Sequence, residues 1–205
     1  MNGATLLSTR KATLKPGFAD PVFDAQTVFR AALSATAYPG RVVRLDVPVS
    51  APRPLDATTA ALCLTLMDFE TPLWLDSRAT DGDAPDWLRF HCGSPIIDNG
   101  ANARFAVVTD LSQLPGFAAF GSGDFQYPDR STTLILQVPS FENGPRTVWK
   151  GPGIREQAEL HIAGLPETFW RDRDLNRELY PCGIDVYLTC GEALIGLPRT
   201  ISVEA

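Results

Sequence analysis

The chain has 205 residues, 44% hydrophobic and 20% charged, with a formal net charge of −6 and a pI near 4.9. That is the size of one domain with a real core, expected to bury about 70% of its unfolded surface. The acidic balance excludes an electrostatic footprint for nucleic acid and a surface drawn to anionic lipid, while leaving room for one basic pocket that takes an anion.

Residues 1–18 read as a loose leader with few packing residues, followed by a single domain over 19–205. Arg10, Lys11 and Lys15 have no hydrophobic core behind them, so the start does not read as a secretory signal. No apolar run approaches the roughly 18 residues of a membrane span, and the cytoplasm is the expected compartment. Asp20-Pro21 opens a helix, with Asp20 as N-cap and Pro21 in the first position. Ala25, Phe29, Ala32 and Leu33 mark its apolar face, and Tyr38-Pro39-Gly40 stops it. A short alternating strand over 41–45 leads to a proline-rich loop. Asp56 then caps a second helix running to about Asp68, apolar nearly all round and so buried on more than one side.

Residues 71–75 form a strand beginning near Pro72, and the turn Asp81-Gly82-Asp83 leads into a short helix over 86–91 closed by Gly93-Ser94-Pro95. Residues 104–109, 132–138, 146–150 and 184–190 read as strands. Val107-Val108 and Leu134-Ile135-Leu136 are continuously apolar, as in central strands covered on both faces. A last, charge-dense helix covers 166–179. The segment after Gly191-Glu192 folds back on 184–190 as an antiparallel hairpin. The expected class is α/β, with helices packed on a mixed sheet.

The residues that bear chemistry are scattered. Cys63, Cys92, Cys182 and Cys190 lack any Cys-x-x-Cys spacing and are expected as free thiols. Cys182 and Cys190 lie ~26 Å apart along an extended segment, too far to share one zinc. No metal site is expected. Nucleophilic catalysis would need a tertiary meeting of Cys92 with His161, or of Cys182 with His91; His91 is better read as closing its short helix. Gly121-Ser122-Gly123 and Gly151-Pro152-Gly153 read as turns rather than phosphate cradles. Arg171, Arg173 and Arg177 alternate with Asp172, Asp174 and Glu178, as on a solvated, salt-bridged helix face. Arg199 is placed to pair a carboxylate across a subunit boundary. Asp185 enters an apolar strand and must face solvent, pair, or sit at an interface. Lys150 is the one lysine positioned for a pyridoxal phosphate Schiff base, but the cup and acid such a cofactor needs are missing around it, so no cofactor is expected.

The tract Pro181-Cys182-Gly183-Ile184-Asp185-Val186-Tyr187-Leu188-Thr189-Cys190-Gly191-Glu192, continued through Leu197-Pro198-Arg199-Thr200, closely resembles the C-terminus of the H-subunit (PhnH) family of the bacterial carbon–phosphorus lyase core complex. Phe29-Arg30 through Pro39-Gly40, residues 66–75, Leu88-Arg89-Phe90-His91, residues 133–138 and Gly151-Pro152-Gly153-Ile154 accompany it in order, extending the resemblance over about 20–204. The resemblance implies a fold related to the large domain of pyridoxal-phosphate-dependent transferases, without the cofactor. It implies a homodimer in isolation and, in the cell, a place beside the G, I and J subunits. It further implies a part in making ribose 1-phosphonate 5-triphosphate from ATP and a phosphonate. A binding and assembly role leads. The alternative is a co-catalytic role in that transferase, with Arg89 and His91 contacting substrate at a subunit boundary. The resemblance also implies a later radical step, needing an iron–sulfur cluster, that cleaves the C–P bond; Cys63, Cys92, Cys182 and Cys190 lack the close triad of such a site, so that step is expected on another subunit.

Overall fold

The computed structural model describes residues 14–205. The first helix, α1 (Pro21–Ala37), starts as its sequence dictates: the Asp20 carboxylate accepts from the amides of Val22 and Phe23, and Pro21 follows. Its buried face differs from expectation. Val28, Ala31, Ala32 and Ala35 turn inward, while Phe29 and Leu33 are 48% and 53% exposed. The reason lies opposite, at Gly196. An added Cβ there would stand 2.5 Å from the Ala35 carbonyl oxygen. Helix and strand backbones meet so closely that only the alanine stripe fits between them.

The remaining elements are β1 (Val43–Arg44), α2 (Ala57–Leu66), β2 (Leu73–Leu75), α3 (Ser77–Thr80), α4 (Ala84–Cys92), β3 (Phe105–Val108), β4 (Thr133–Gln137), β5 (Arg146–Lys150), β6 (Ala158–His161), α5 (Glu167–Glu178), β7 (Asp185–Cys190), β8 (Ala193–Leu197) and β9 (Ser202–Glu204). The described residues build a six-stranded sheet in the order β1-β8-β7-β4-β3-β2 and a three-stranded antiparallel sheet in the order β6-β5-β9. Strands β7, β4, β3 and β2 run parallel, while β8 turns back on β7 at Gly191 and β1 pairs antiparallel with β8. The α/β class, the mixed sheet and the terminal hairpin follow the sequence reading. Strands β6 and β9 and the short helix α3 were not legible in it.

Alternation along β3 and β4 divides the core. Val107 and Ile135 join Val28, Leu62, Trp87 and Leu194 beneath α1, α2 and α4. Ala106, Val108, Leu134 and Leu136 join Trp149 and Phe169 beneath the smaller sheet and α5. Helix α2 buries Thr58 through Cys63 without a break, as its all-round apolar sequence requires. Asp56 occupies its N-cap position but makes no side-chain cap bond to the helix; its carboxylate accepts instead from the Gly191 amide at 3.2 Å, tying α2 to the hairpin turn.

The α1–β8 contact tests this packing. Gly196→Ala should cost about 2–3 kcal/mol by forcing two backbones apart, read as a lower urea midpoint with an unchanged slope. An unchanged midpoint would show that the contact is soft.

Candidate functional site

The C-terminal tract carries the densest polar network. Asp185 begins β7, and Arg199 follows β8. The two meet within one chain: the Arg199 amide donates to Asp185 Oδ1 at 2.7 Å and Nη2 donates to Oδ2 at 2.6 Å. Arg199 Nε donates to both carboxylate oxygens at 3.2 Å. Nη1 reaches the carbonyls of Pro128 and Pro181 at 3.1 and 3.0 Å, and Nη2 also reaches Ser131 Oγ at 2.7 Å. Every guanidinium donor is engaged. The expected pairing across a subunit boundary is therefore corrected: Asp185 supplies the carboxylate in cis, because the hairpin returns Arg199 to the start of its partner strand.

Arg173 corrects a second reading. Arg171 does sit on an exposed face, 3.7 Å from Asp172, but Arg173 points inward and is 1% exposed. Its Nη2 donates to the carbonyls of Pro198 and Ile201, the latter at 2.8 Å, while Nε and Nη1 have no partner among the described residues. Burial lowers its pKa to about 10. A strictly alternating charge pattern hides such a residue, because position 173 shares a helix face with Phe169 and Asn176.

A third polar centre lies at the carboxyl ends of the parallel strands. Asp76, 1% exposed, follows β2 and accepts from the amides of Ala79, Thr109 and Asp110 at 2.7–2.9 Å. Beside it opens a crevice of about 430 Å³ lined by Asp56, Arg78, Asp110 and Gln137 among others. In open α/β sheets this edge is the usual ligand crevice. Here two carboxylates face one guanidinium, which disfavours an anion, and Gln137 bonds the Asp56 amide and the Pro54 carbonyl.

Arg89 and His91 both lie near the end of α4, which Gly93 closes in the left-handed conformation. Arg89 pairs with the exposed Asp86 at 3.2 Å. His91 packs against Trp87 and Phe90, and its Nε2 lies 3.0 Å from the Lys15 carbonyl, which also accepts from Trp87 Nε1 at 2.8 Å. Residues 14–18 carry no helix or strand, but Lys15 is anchored there; the rest of the expected leader, 1–13, lies outside the described residues.

Neither expected cysteine–histidine pair is hydrogen-bonded among the described residues. Cys92 Sγ faces the Cys63 carbonyl, while His161, on β6, approaches Glu159 and the Gly144 carbonyl. Burial pushes the Cys92 thiol up to about 12 and raises Cys63 well above its ordinary value. No group of three His, Cys, Asp or Glu residues among those described could hold a metal. Lys150 forms a surface ion pair with Glu204 at 2.8 Å, a poor setting for a Schiff base. Gly121 and Ser122 lie in an irregular segment, not a turn, bonded to Thr132 just before β4 and to Gly183 just before β7.

The cavity of about 590 Å³ was not foreseen. Phe117, Ala118 and Phe120 line one side, and Leu175, Leu179 and Ile184 the other. Its walls stand more than fifty positions apart in sequence, so no local pattern announces it.

The thiol assignment can be checked directly. At pH 8 a thiol with a pKa of about 12 is ionised to about one part in ten thousand. Iodoacetamide should leave Cys92 of the native chain unmodified and label it only after denaturation, as read by peptide mass spectrometry. Rapid native labelling would restore Cys92 as a nucleophile.

Comparison with known proteins gives the family. The family described as "Bacterial phosphonate metabolism protein (PhnH)" matches residues 16–204. The chain is 41% identical over 187 residues to "Alpha-D-ribose 1-methylphosphonate 5-triphosphate synthase subunit PhnH" of Rhizobium meliloti (strain 1021), covering 91% of this chain and 94% of that one. It is 29% identical over 182 residues to "Putative C-P lyase subunit protein HtxG" of Stutzerimonas stutzeri, covering 87% and 85%. The chain belongs to the PhnH family of bacterial phosphonate metabolism proteins.

Proposed function

We propose that this chain is the H-type subunit of a carbon–phosphorus lyase core and supports formation of ribose 1-phosphonate 5-triphosphate from ATP and a phosphonate, mainly as a binding and assembly subunit. One observation carries the assembly role: large apolar side chains stand uncovered on two separate helices. On α1, Val22, Phe23, Phe29 and Leu33 are 74%, 67%, 48% and 53% exposed; at the end of α5, Leu175, Leu179 and Tyr180 are 57%, 48% and 66% exposed. Large apolar side chains left exposed in groups along a helix support a reading as interaction surface. Both curated relatives are themselves named as subunits.

The homodimer of the isolated chain, the G, I and J partners, the cytoplasmic setting and the kinship with the large domain of pyridoxal-phosphate-dependent transferases belong to the same proposal. They are supported by family membership. No helix among the described residues is long and apolar enough to cross a membrane. The co-catalytic alternative keeps Arg89 and His91 as substrate contacts. In its favour, the Arg89 side chain is 55% exposed and pairs, among the described residues, with the exposed Asp86.

Co-purification with the sibling subunits decides the main reading: the chain should join them, and its deletion should dissolve or weaken the complex. An intact complex without it would overturn the assembly role. In the assembled complex, Arg89→Ala with His91→Ala should leave turnover within about twofold if the chain only assembles; a loss of about a hundredfold with assembly preserved would move it to the co-catalytic role.

A further inference from the structure

We propose that the crevice at the carboxyl edge of the parallel strands binds a small zwitterion, its ammonium on the Asp56 carboxylate and its oxyanion on the Arg78 guanidinium. The inference goes beyond the assembly role and does not depend on it.

Chain topology opens the crevice. Strands β2 and β3 are parallel neighbours, yet the chain leaves them on opposite faces of the sheet. After β2 it enters α3 and α4, whose Ala79, Ala84 and Trp87 join the core beneath α1 and α2. After β3 it carries Leu111, Phe117 and Phe120 to the core beneath α5. Beyond α4, Ile96 pairs with Leu73 on the outer side of β2, while the chain after β3 moves inward to β4. Two connections that part in this way leave a gap at the strand ends, the topological switch point where open α/β sheets hold ligands. The gap here is about 430 Å³, the size of a small-molecule site.

Its walls are fixed from behind. The buried Asp76 accepts from the amides of Ala79, Thr109 and Asp110, tying α3 to the end of β3. Arg78 is thereby set against that segment, and its Nη1 donates to the Thr109 carbonyl at 3.3 Å. Gln137, ending β4, accepts the Asp56 amide at 2.7 Å and donates to the Pro54 carbonyl at 3.1 Å. Asp56 Oδ2 accepts from the Gly191 amide. Asp110 is held by the amide and hydroxyl of Ser112 and by Gln113 Nε2. Among the described residues, Asp56 Oδ1 has no donor and Arg78 Nε and Nη2 have no acceptor. One acceptor and one pair of donors are thus placed in advance and left for a ligand.

Charge selects the ligand. With Asp56, Asp110 and Arg78 on its walls, the crevice carries one negative charge in excess. A polyphosphate or other bare anion would meet both carboxylates. A metal ion is disfavoured, because no group of three His, Cys, Asp or Glu among the described residues could hold one. A zwitterion answers both signs: its ammonium makes a charge-assisted bond to Asp56, and its oxyanion takes the guanidinium fork. A carboxylate or a phosphonate could supply that oxyanion.

The walls all belong to this chain, so the free full-length chain is the object of the test. Titration calorimetry compares β-alanine and 2-aminoethylphosphonate with methylphosphonate and ethylammonium, which each carry one of the two charged ends. At least one zwitterion should bind, about tenfold or more tightly than either single-ended probe, and which one binds names the oxyanion. In the nitrogen–proton spectrum the amides of Thr109, Asp110, Ser112 and Gly164 should shift. Asp56→Asn, which keeps an oxygen for the Gly191 amide, and Arg78→Gln, at an exposed position, should each weaken binding about tenfold or more while melting close to wild type. If one variant misfolds, the other decides alone. Absence of zwitterion binding at about 10 mM, equal binding of a single-ended probe, unchanged binding by a folded variant, or shifts confined to other parts of the chain each overturn the site. None of these outcomes touches the assembly reading, which the co-purification tests separately.

Discussion

The guanidinium of Arg199 is where the distant parts of this fold are made to agree. Its five N–H donors reach the Asp185 carboxylate, the carbonyls of Pro128 and Pro181, and the Ser131 hydroxyl. Those groups belong to the start of β7, the turn before β4, and the segment entering β7. A planar, permanently charged fork can satisfy all of them at once; a lysine ammonium, with three donors and no plane, could not. The pair is partly buried, with Arg199 and Asp185 side chains 13% and 35% exposed. Breaking it would strand one charge among apolar strands, which costs far more than making it gains.

The buried Arg173 lies close by and shows the opposite economy. It lends two hydrogen bonds to the Pro198 and Ile201 carbonyls but leaves two nitrogens without partners among the described residues. The same segment after β8 is thus gripped by one fully matched arginine and one poorly matched arginine. The first fixes the geometry; the second adds two carbonyl contacts at the expense of desolvating a charge.

Much of the architecture was legible in local pattern. The apolar runs of β3 and β4 announce strands buried on both faces, Asp20-Pro21 announces the start of α1, and Gly191 announces the hairpin. What escaped was decided by contacts between distant positions. Helix α1 offers both a bulky and an alanine stripe, and only the close backbone of Gly196 chooses the alanines. Strands β6 and β9 are short and half polar, so they exist because β5 lies between them. The cavity wall needs Phe117 and Leu175 to be neighbours. Asp185 and Arg199 were both visible as polar residues in need of partners, but their mutual pairing depends on the register of β7 against β8, in which Val186 faces Leu197.

The hairpin also sets an order of events. Pairing of β7 with β8 closes a loop of two residues, whereas pairing of β7 with β4 must close the long excursion through β5, β6 and α5. Short closures are fast and long ones slow. The Asp185 half of the Arg199 network can therefore form while the chain is still largely open, and the Ser131 and Pro128 half only after β4 has docked. One side chain thus ties an early closure to a later one, an ordering that pulse-labelled hydrogen exchange reads by comparing the amide of Arg199 with that of Tyr187, which faces β4.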